Sequence, residues 1–347
     1  MPRRPNDSGQ AVVVDKFGGS VLRRPQDIAA AVAAVAAQRA AGERPVVVVS
    51  AFEGVTDAIL GSAAVLLPDG GAALRQPRQD AGSPLARETD RALATGEALS
   101  AALFALGLQA RGIPARSFSG AEAGIRTAAA HLGAEVRRVL PRRLRQALAD
   151  GLVPVVAGFQ GIGTHGELTT LGRGGTDLSA VVLAVALRAD RCELFKDTGG
   201  VMEADPQLVP AARHLPVVDA LQLELLAELG SEIVHPVAVR RARRGRLRLV
   251  VRSLDVDEPR TEVRPRGREP RGREPGDAPA LMLAVDRRDR ISRISLVGRA
   301  AGMPELLPIP AHGAGSFDEG GWRVVWAEVP VEQAARAAQA VHAALMA

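Results

Sequence analysis

Apolar residues follow two rhythms along this chain. Some form short unbroken runs that end at glycine or small polar turns; others recur at helical spacing over longer stretches. The runs at 11–17 (AVVVDKF), 45–50, 152–159, 192–195 and 247–252 predict buried strands. Helical spacing predicts helices over 25–41, from 88 onward as one long amphipathic element, over 135–150 with an arginine face, and over 177–189 and 221–230. Strands alternating with helices imply a mainly parallel sheet whose turns gather at the C-terminal edge. Between these elements, 67–87 is rich in Gly, Pro, Gln and Arg and reads as an exposed, mobile loop. Residues 112–118 and 124–127 read as a strand and a loop, 160–170 as a hairpin turning at His165 and Gly166, and 231–236 as a turn.

After Ser253, residues 254–279 are mostly Asp, Glu, Arg, Pro and Gly, cannot bury a core, and are expected to form a linker. The last segment, 280–347, has strands at ISRISLVG and WRVVWAEV, a Gly/Pro-rich middle and a C-terminal amphipathic helix. That predicts a small α+β domain, marginal alone and packed on the first domain or on a second copy.

Composition narrows the class. At 347 residues with 47% hydrophobic content, the chain can build about two globular domains. Residues 1–10 carry arginines without an apolar region behind them, and no unbroken run approaches the roughly 18 apolar residues of a membrane span. A disordered N-terminus, a cytoplasmic location and no membrane partner are therefore expected. The single cysteine, Cys192, excludes an internal disulfide, and the six histidines are too scattered for a zinc site. The net charge of +5 is concentrated in 241–248 and the RGREP repeat at 266–275, while aromatics are 3% and tyrosine is absent. Without stacking platforms these arginines read as solvated linker, and no nucleic-acid partner is expected.

Only two of the 44 basic residues are lysine, Lys16 and Lys196. Lysine is a compact charge on a flexible stem, so its retention in an arginine-rich chain suggests a tight site; chance survival is the other reading. Both lysines end predicted strands beside glycine turns, Gly18-Gly19-Ser20 and Gly199-Gly200. Two ammonium groups at one sheet edge repel unless phosphate lies between them. The run LTTLGRGGTDLSA at 168–180 adds a glycine turn opening onto a helix, which suits a phosphate. There Arg173 offers a fork for a carboxylate or phosphate, and Asp177 lies in the first helical turn. A plain loop capped by Thr176 or Asp177 would look the same. Glu97, among small residues on the long helix, either has a buried partner or lies on a solvated face.

With these residues in view, the chain resembles aspartokinases of the amino-acid-kinase family over residues 11–253. KFGGSV at Lys16, VVSAFEGVTD ending at Asp57, TGEALS at Thr95, PVVAGFQG at Pro154, GELTTLGRGGTD ending at Asp177, DTGGVMEADP at Asp197 and His235-Pro236 occur in that family's order and spacing. The resemblance implies a three-layer α/β/α amino-acid-kinase fold, with an ACT-like α+β region at 280–347. It also implies transfer of the γ-phosphoryl of ATP, with Mg2+, to the side-chain carboxylate of aspartate, in a homodimer or higher homo-oligomer. By the same resemblance Lys16 with Gly18, Gly19 and Ser20 would hold the transferred phosphoryl, and Asp177 would organise the centre. Ser50, Thr56, Glu97 and Arg173 would bind the amino acid, and Lys196, Asp197, Met202, Gln207 and Glu232 would line the nucleotide side.

The departures cluster on that nucleotide side. The family usually has Thr-Asp where Lys196-Asp197 stands, tyrosine at Met202, arginine at Gln207 and lysine at Glu232. Lys196 is expected to take over the charge lost at Glu232. A kinase for another acidic amino acid or carboxylate, and a non-catalytic regulatory pseudokinase, remain the alternatives. The family usually carries two ACT modules; here the linker stands where the first belongs, and proline and glycine at 301–315 make a poor helix. Feedback inhibition by lysine or threonine is therefore expected to be weak or absent.

Overall fold

The computed structural model describes residues 10–67, 82–231, 233–265, 281–288, 290–299, 303–305 and 307–345. These divide into two compact units: the first runs to Asp197 and takes in Leu247–Val256, and the second comprises Thr198–Arg246 and Asp257–Ala347. Residues 204–212 share a core with the C-terminal segment, and by packing 198–246 groups with it. The expected disordered residues 1–9 and most of the expected loop at 67–87 lie outside the described residues.

In the first unit the unbroken apolar runs become β1 (Val12–Phe17), β2 (Arg44–Val49), β3 (Ala115–Phe118), β6 (Val153–Ala157), β9 (Arg191–Phe195) and β13 (Leu249–Arg252). They form a parallel sheet in the order β13-β9-β1-β2-β6-β3. Parallel strands are covered on both faces, which explains runs without polar alternation. Helices α1 (Ile28–Ala40) and α3 (Pro84–Gln109) pack on the face that carries Phe17, Val47, Val49 and Val155. Helix α5 (Gly175–Leu187) lies against β1, β2 and β9, and α4 (Arg142–Ala149) against β6. Helix α2 (Val55–Val65) follows β2 and buries none of its residues. A second small sheet has the order β5-β4-β7-β8, from β4 (Ile125–Thr127), β5 (Val136–Val139), β7 (Gln160–Ile162) and β8 (Leu168–Thr170). The expected hairpin at 160–170 is its β7–β8 pair.

Phe17 is the centre of the first core. It stacks on Phe195 at 4.5 Å between centroids, with Phe104 of α3 at 5.4 Å. Alternation along β1 sends Phe17 and Asp15 to the α1 side and Lys16 to the other. Asp15 accepts a hydrogen bond from Gln38 of α1; burial first, then neighbouring Glu193, pushes its pKa well above the usual carboxylate range.

Two expectations in this unit give way. Helix α3 starts at Pro84 rather than Glu88, because Ser83 caps it by accepting the Ala86 N–H at 3.1 Å and proline suits the first turn. The expected helix over 135–150 is strand β5 followed by α4, with Pro141 at the break. Although it has no unbroken apolar run of that length, α3 is apolar and long enough to cross a membrane by composition. Half of that stretch is buried as a core helix.

The second unit contains a β10 (Val201–Met202)–β11 (His214–Leu215) hairpin and helices α6 (Ala220–Glu228) and α7 (Pro236–Arg244). Strand β12 (Val217–Asp219) pairs in parallel with β14 (Thr261–Arg264). An antiparallel sheet has the order β15-β16-β18-β17, from β15 (Met282–Arg287), β16 (Ile291–Arg299), β17 (Gly313–Glu319) and β18 (Trp322–Pro330), with α8 (Ala334–Leu345) packed on it. This matches the expected α+β region, and the described residues between β16 and β17 contain no helix.

The linker expectation fails at two places. The arginine-rich 241–248 begins in α7, where Arg243 and the preceding Arg240 each hold Glu224 of α6 at 2.7 Å, while Arg244, Arg246 and Arg248 are exposed. In 254–279, Thr261–Arg264 is a strand; the RGREP repeat lies outside the described residues. Leu208, Val209 and Ala212 share a core with Leu296, Val325 and Val341, which joins the 198–215 segment to the C-terminal sheet.

Because Phe17 is fully enclosed between two other rings, Phe17→Ala is expected to lower stability by about 3–5 kcal/mol, read as a shift of the urea-unfolding midpoint at unchanged slope.

Candidate active site

The C-terminal ends of β1, β2, β6 and β9 carry Lys16, Ser50, Gly158 and Lys196 in turn. In the parallel register Lys16 pairs with Leu194, and alternation puts Leu194 and Lys196 on the same face as Lys16. That face meets the first turn of α5, and both lysines converge on its Asp177. Lys16 Nζ lies 2.7 Å from Oδ1 and Lys196 Nζ 3.4 Å from Oδ2. The two ammonium groups do share one edge, as expected, and the anion between them here is a carboxylate of the protein itself.

Glycines make this approach possible. A side chain at Gly18 would put a Cβ 2.6 Å from Lys16 Nζ, because the lysine folds back over that residue. At Gly158 a Cβ would fall 2.6 Å from Thr176 Cγ2, so the end of β6 touches the start of α5. Helix α5 begins two residues before the expected Asp177, and its cap is Gly174 with φ of +69°, not Thr176 or Asp177. Asp177 thereby sits inside the positive end of the helix. Gly158 went unnoticed in the sequence because a lone glycine after a strand looks like any turn.

Burial would raise the Asp177 carboxyl, but the ammonium groups of Lys16 and then Lys196 outweigh it and hold it well below the usual carboxylate range. Burial lowers the Lys196 pKa; Asp177 opposes the shift and Lys16 adds to it. Two cations on one carboxylate leave one net positive charge in a water-poor site.

The amino-acid side gathers in the same unit. Glu97, buried on α3, accepts the Ala51 N–H at 3.1 Å through Oε1, while Oε2 has no hydrogen-bond partner among the described residues. Gly96 lets the helix come this close, since a Cβ there would meet Ala51 Cβ at 2.8 Å. Burial pushes the Glu97 carboxyl up to about 7, with the Ala51 hydrogen bond opposing it. The solvated-face reading of Glu97 is therefore set aside. Thr56 sits in the first turn of α2, half-buried, and Ser50 donates its N–H to Phe17 O at 3.0 Å. Arg173, exposed in the turn between β8 and α5, makes no ion pair among the described residues.

Of the remaining candidates, Gly19 and Ser20 lie half-buried in the turn after β1, and Asp197 is exposed beside Lys196. Met202 and Gln207 belong to the second unit. There Met202 packs on the C-terminal core, and Gln207 is exposed with its N–H bonded to Asp205 at 2.9 Å. Glu232 lies outside the described residues. Among the described residues no three His, Cys, Asp or Glu side chains form a group that could hold a metal ion. Both oxygens of Asp177 face ammonium groups, so this carboxylate is not offered to a metal ion in this arrangement.

The model of the "Amino acid kinase family" matches residues 11–253. An aspartokinase of Mycolicibacterium smegmatis is 39% identical over 255 residues, covering 73% of this chain and 57% of that protein. Aspartokinase 2 of Bacillus subtilis (strain 168) is 34% identical over 298 residues, covering 86% and 68% respectively. The chain thus spans little more than half the length of the mycobacterial relative. Among solved structures, E. coli aspartokinase III in complex with aspartate and ADP (R-state) superposes with a TM-score of 0.77 at 20% identity, covering 97% of this chain and 100% of that one, which shows a shared fold.

Glu97 generates a pH signature. Its folded-state pKa of about 7 exceeds the ordinary 4.5, so the folded protein keeps a proton that the unfolded chain has lost. Stability is expected to fall as pH rises from about 4.5 to 7, by on the order of 3 kcal/mol from this group. Glu97→Gln should remove that component when urea-unfolding curves of the two proteins are compared across the range; parallel pH profiles would contradict the assignment.

Proposed function

The chain belongs to the amino acid kinase family, and from that premise we propose that it transfers the γ-phosphoryl group of ATP to the side-chain carboxylate of aspartate, giving 4-phospho-L-aspartate and ADP. The observation that carries this reading is the pair of ammonium groups on Asp177 at a helix N-terminus, in the same unit as an underpartnered buried glutamate and an exposed arginine. Phosphoryl transfer asks for little covalent chemistry from the protein. An aspartate side chain is ionised at neutral pH and is itself the nucleophile, so no general base is needed. Its oxygen attacks the γ-phosphorus while the bond to the β,γ-bridging oxygen breaks, and the electron pair leaves on ADP.

The protein's tasks are holding and neutralising. Lys16, with Gly18, Gly19 and Ser20 in the turn after β1, grips the transferring group, and Asp177 holds both ammonium groups at this edge. Lys196 supplies a second cation to the polyphosphate, with Asp197 beside it on the nucleotide side. Bound with ATP, Mg2+ would screen the phosphates. Glu97 pairs with the acceptor's ammonium, which favours its charged form, and Arg173 takes a carboxylate, with Ser50 and Thr56 beside them. Such a pair selects a zwitterion. The reading includes a cytoplasmic homodimer or higher oligomer.

Purified protein with ATP, Mg2+ and aspartate, trapped with hydroxylamine, is expected to yield the acyl-hydroxamate. Lys16→Met should abolish it with the fold intact, and Lys196→Ala should raise the KM for ATP about tenfold or more with a small effect on the KM for aspartate. No hydroxamate with any acidic amino acid and no ATP binding by calorimetry would favour a non-catalytic regulator. An unchanged KM for ATP in Lys196→Ala would end the relocated-charge idea.

Feedback is expected to be weak, because no helix occurs among the described residues between β16 and β17. Lysine or threonine at low millimolar concentration should leave the rate nearly unchanged; strong inhibition by either would overturn this.

A further inference from the structure

A second buried carboxylate in the first unit, outside the site just described, has a full set of partners. Asp90 on α3 is fully buried. Its Oδ1 accepts the Thr170 hydroxyl at 2.5 Å and the Leu132 N–H at 3.1 Å, and its Oδ2 lies 2.8 Å from His131 Nδ1. Against a carboxylate that ring nitrogen carries the proton. The other nitrogen, Nε2, lies 3.6 Å from Glu167, which Arg87 holds at 3.2 Å.

What these bonds tie together gives them meaning. Thr170 ends β8, and three residues later the chain presents Arg173. The Thr170 carbonyl accepts the N–H groups of Gly133 and Ala134 at 3.1 and 2.7 Å, so the 131–134 loop is fastened to the same strand. Leu132 in that loop has φ of +56°, a conformation costly for a leucine and held here by its N–H bond to Asp90. A Cβ on Gly172 would lie 3.3 Å from Gly133 Cα, so the loop forms the floor of the turn that carries Arg173. One turn along α3, the Ala94 carbonyl accepts the Gln160 side-chain amide at 3.1 Å, tying β7 to the same helix.

Asp90, Ala94 and Glu97 are spaced i, i+4, i+7 and share one face of α3. The helix rises about 1.5 Å per residue, so Asp90 and Glu97 are separated by roughly 10 Å along a rigid rod. One end holds the turn of Arg173 and the other holds the carboxylate that faces the acceptor's ammonium.

We infer that Asp90, with His131 and Thr170, is a positioning unit that fixes the Arg173 turn relative to Glu97 and so sets affinity for the zwitterionic acceptor, leaving nucleotide binding untouched. The inference rests on the proposed activity for its acceptor and on the geometry alone for its hold on the turn. A misplacement of about 1 Å in such a site can cost on the order of a hundredfold. None of these residues touches the reacting atoms in this account; they act through Arg173.

The test uses the full chain and three variants. Thr170→Val removes one donor at nearly constant volume, Asp90→Ala removes the whole unit, and Asp90→Asn keeps an oxygen for Thr170 and Leu132. The expected KM for aspartate rises about fivefold in Thr170→Val and about thirtyfold in Asp90→Ala, with Asp90→Asn recovering most of the loss and the KM for ATP within about twofold throughout. Hydrogen exchange on the ligand-free proteins supplies a readout independent of turnover. Amides at 132–134 and 171–175 should exchange faster in Asp90→Ala and Thr170→Val, while β1 and β9 keep their protection. Unchanged exchange in the turn overturns the inference whatever the substrate is, and so does an equal rise in both KM values. If Asp90→Ala fails to fold, Thr170→Val decides both points. Wild-type protein that makes no aspartyl phosphate defeats the proposed activity, and the exchange experiment then still decides whether Asp90 holds the turn.

Discussion

The carboxylate of Asp177, held between the ammonium groups of Lys16 and Lys196, is the interaction around which the first unit is built. Three charges in a buried place would be costly singly, and removing one partner from a buried pair costs about 3–5 kcal/mol. Together they neutralise one another except for one positive charge. That surplus, beside the positive end of α5, favours an incoming polyanion. The close approaches at Gly18 and Gly158 are the steric cost of bringing two strand ends and a helix start to one point.

Helix α3 does the complementary work for the amino-acid side. Its Phe104 anchors it in the core against Phe17, whose neighbour on β1 is Lys16. The aromatic cluster on one face of the sheet and the charge cluster on the other are thus set by two consecutive residues of one strand. Packing on the α1 and α3 face holds the strand, and the strand delivers the lysine. Glu97 and Asp90 then extend this rigidity to the loop after β2 and the turn before α5.

The second unit departs from a picture of a kinase domain, a linker and a separate tail. Glu203 accepts two-pronged hydrogen bonds from Arg213, gives its carbonyl to the Leu283 N–H at 2.7 Å, and lies 3.5 Å from His342 of α8. A segment that the family resemblance assigns to the nucleotide side is therefore built into the same core as the C-terminal sheet. Arg243, which looked like solvated charge in the sequence, instead holds Glu224 together with Arg240.

By itself the sequence determined the parallel strands, the glycine turns, the helices that follow them and the two isolated lysines, because those signals are local: an apolar run, a missing side chain, a residue type kept against the bias of the chain. It also carried the family, through motifs in order. Tertiary structure alone decided that Asp177 stands between the lysines, that Glu97 is buried with one oxygen left over, and that Asp90 reaches His131 and Thr170 across 41 and 80 residues of chain. It likewise decided that 135–150 breaks into a strand and a helix at Pro141 and that α7 and β14 form where charge suggested a linker. These outcomes depend on partners remote in sequence. A charged residue is solvated or buried according to what folds against it, and no local pattern records that.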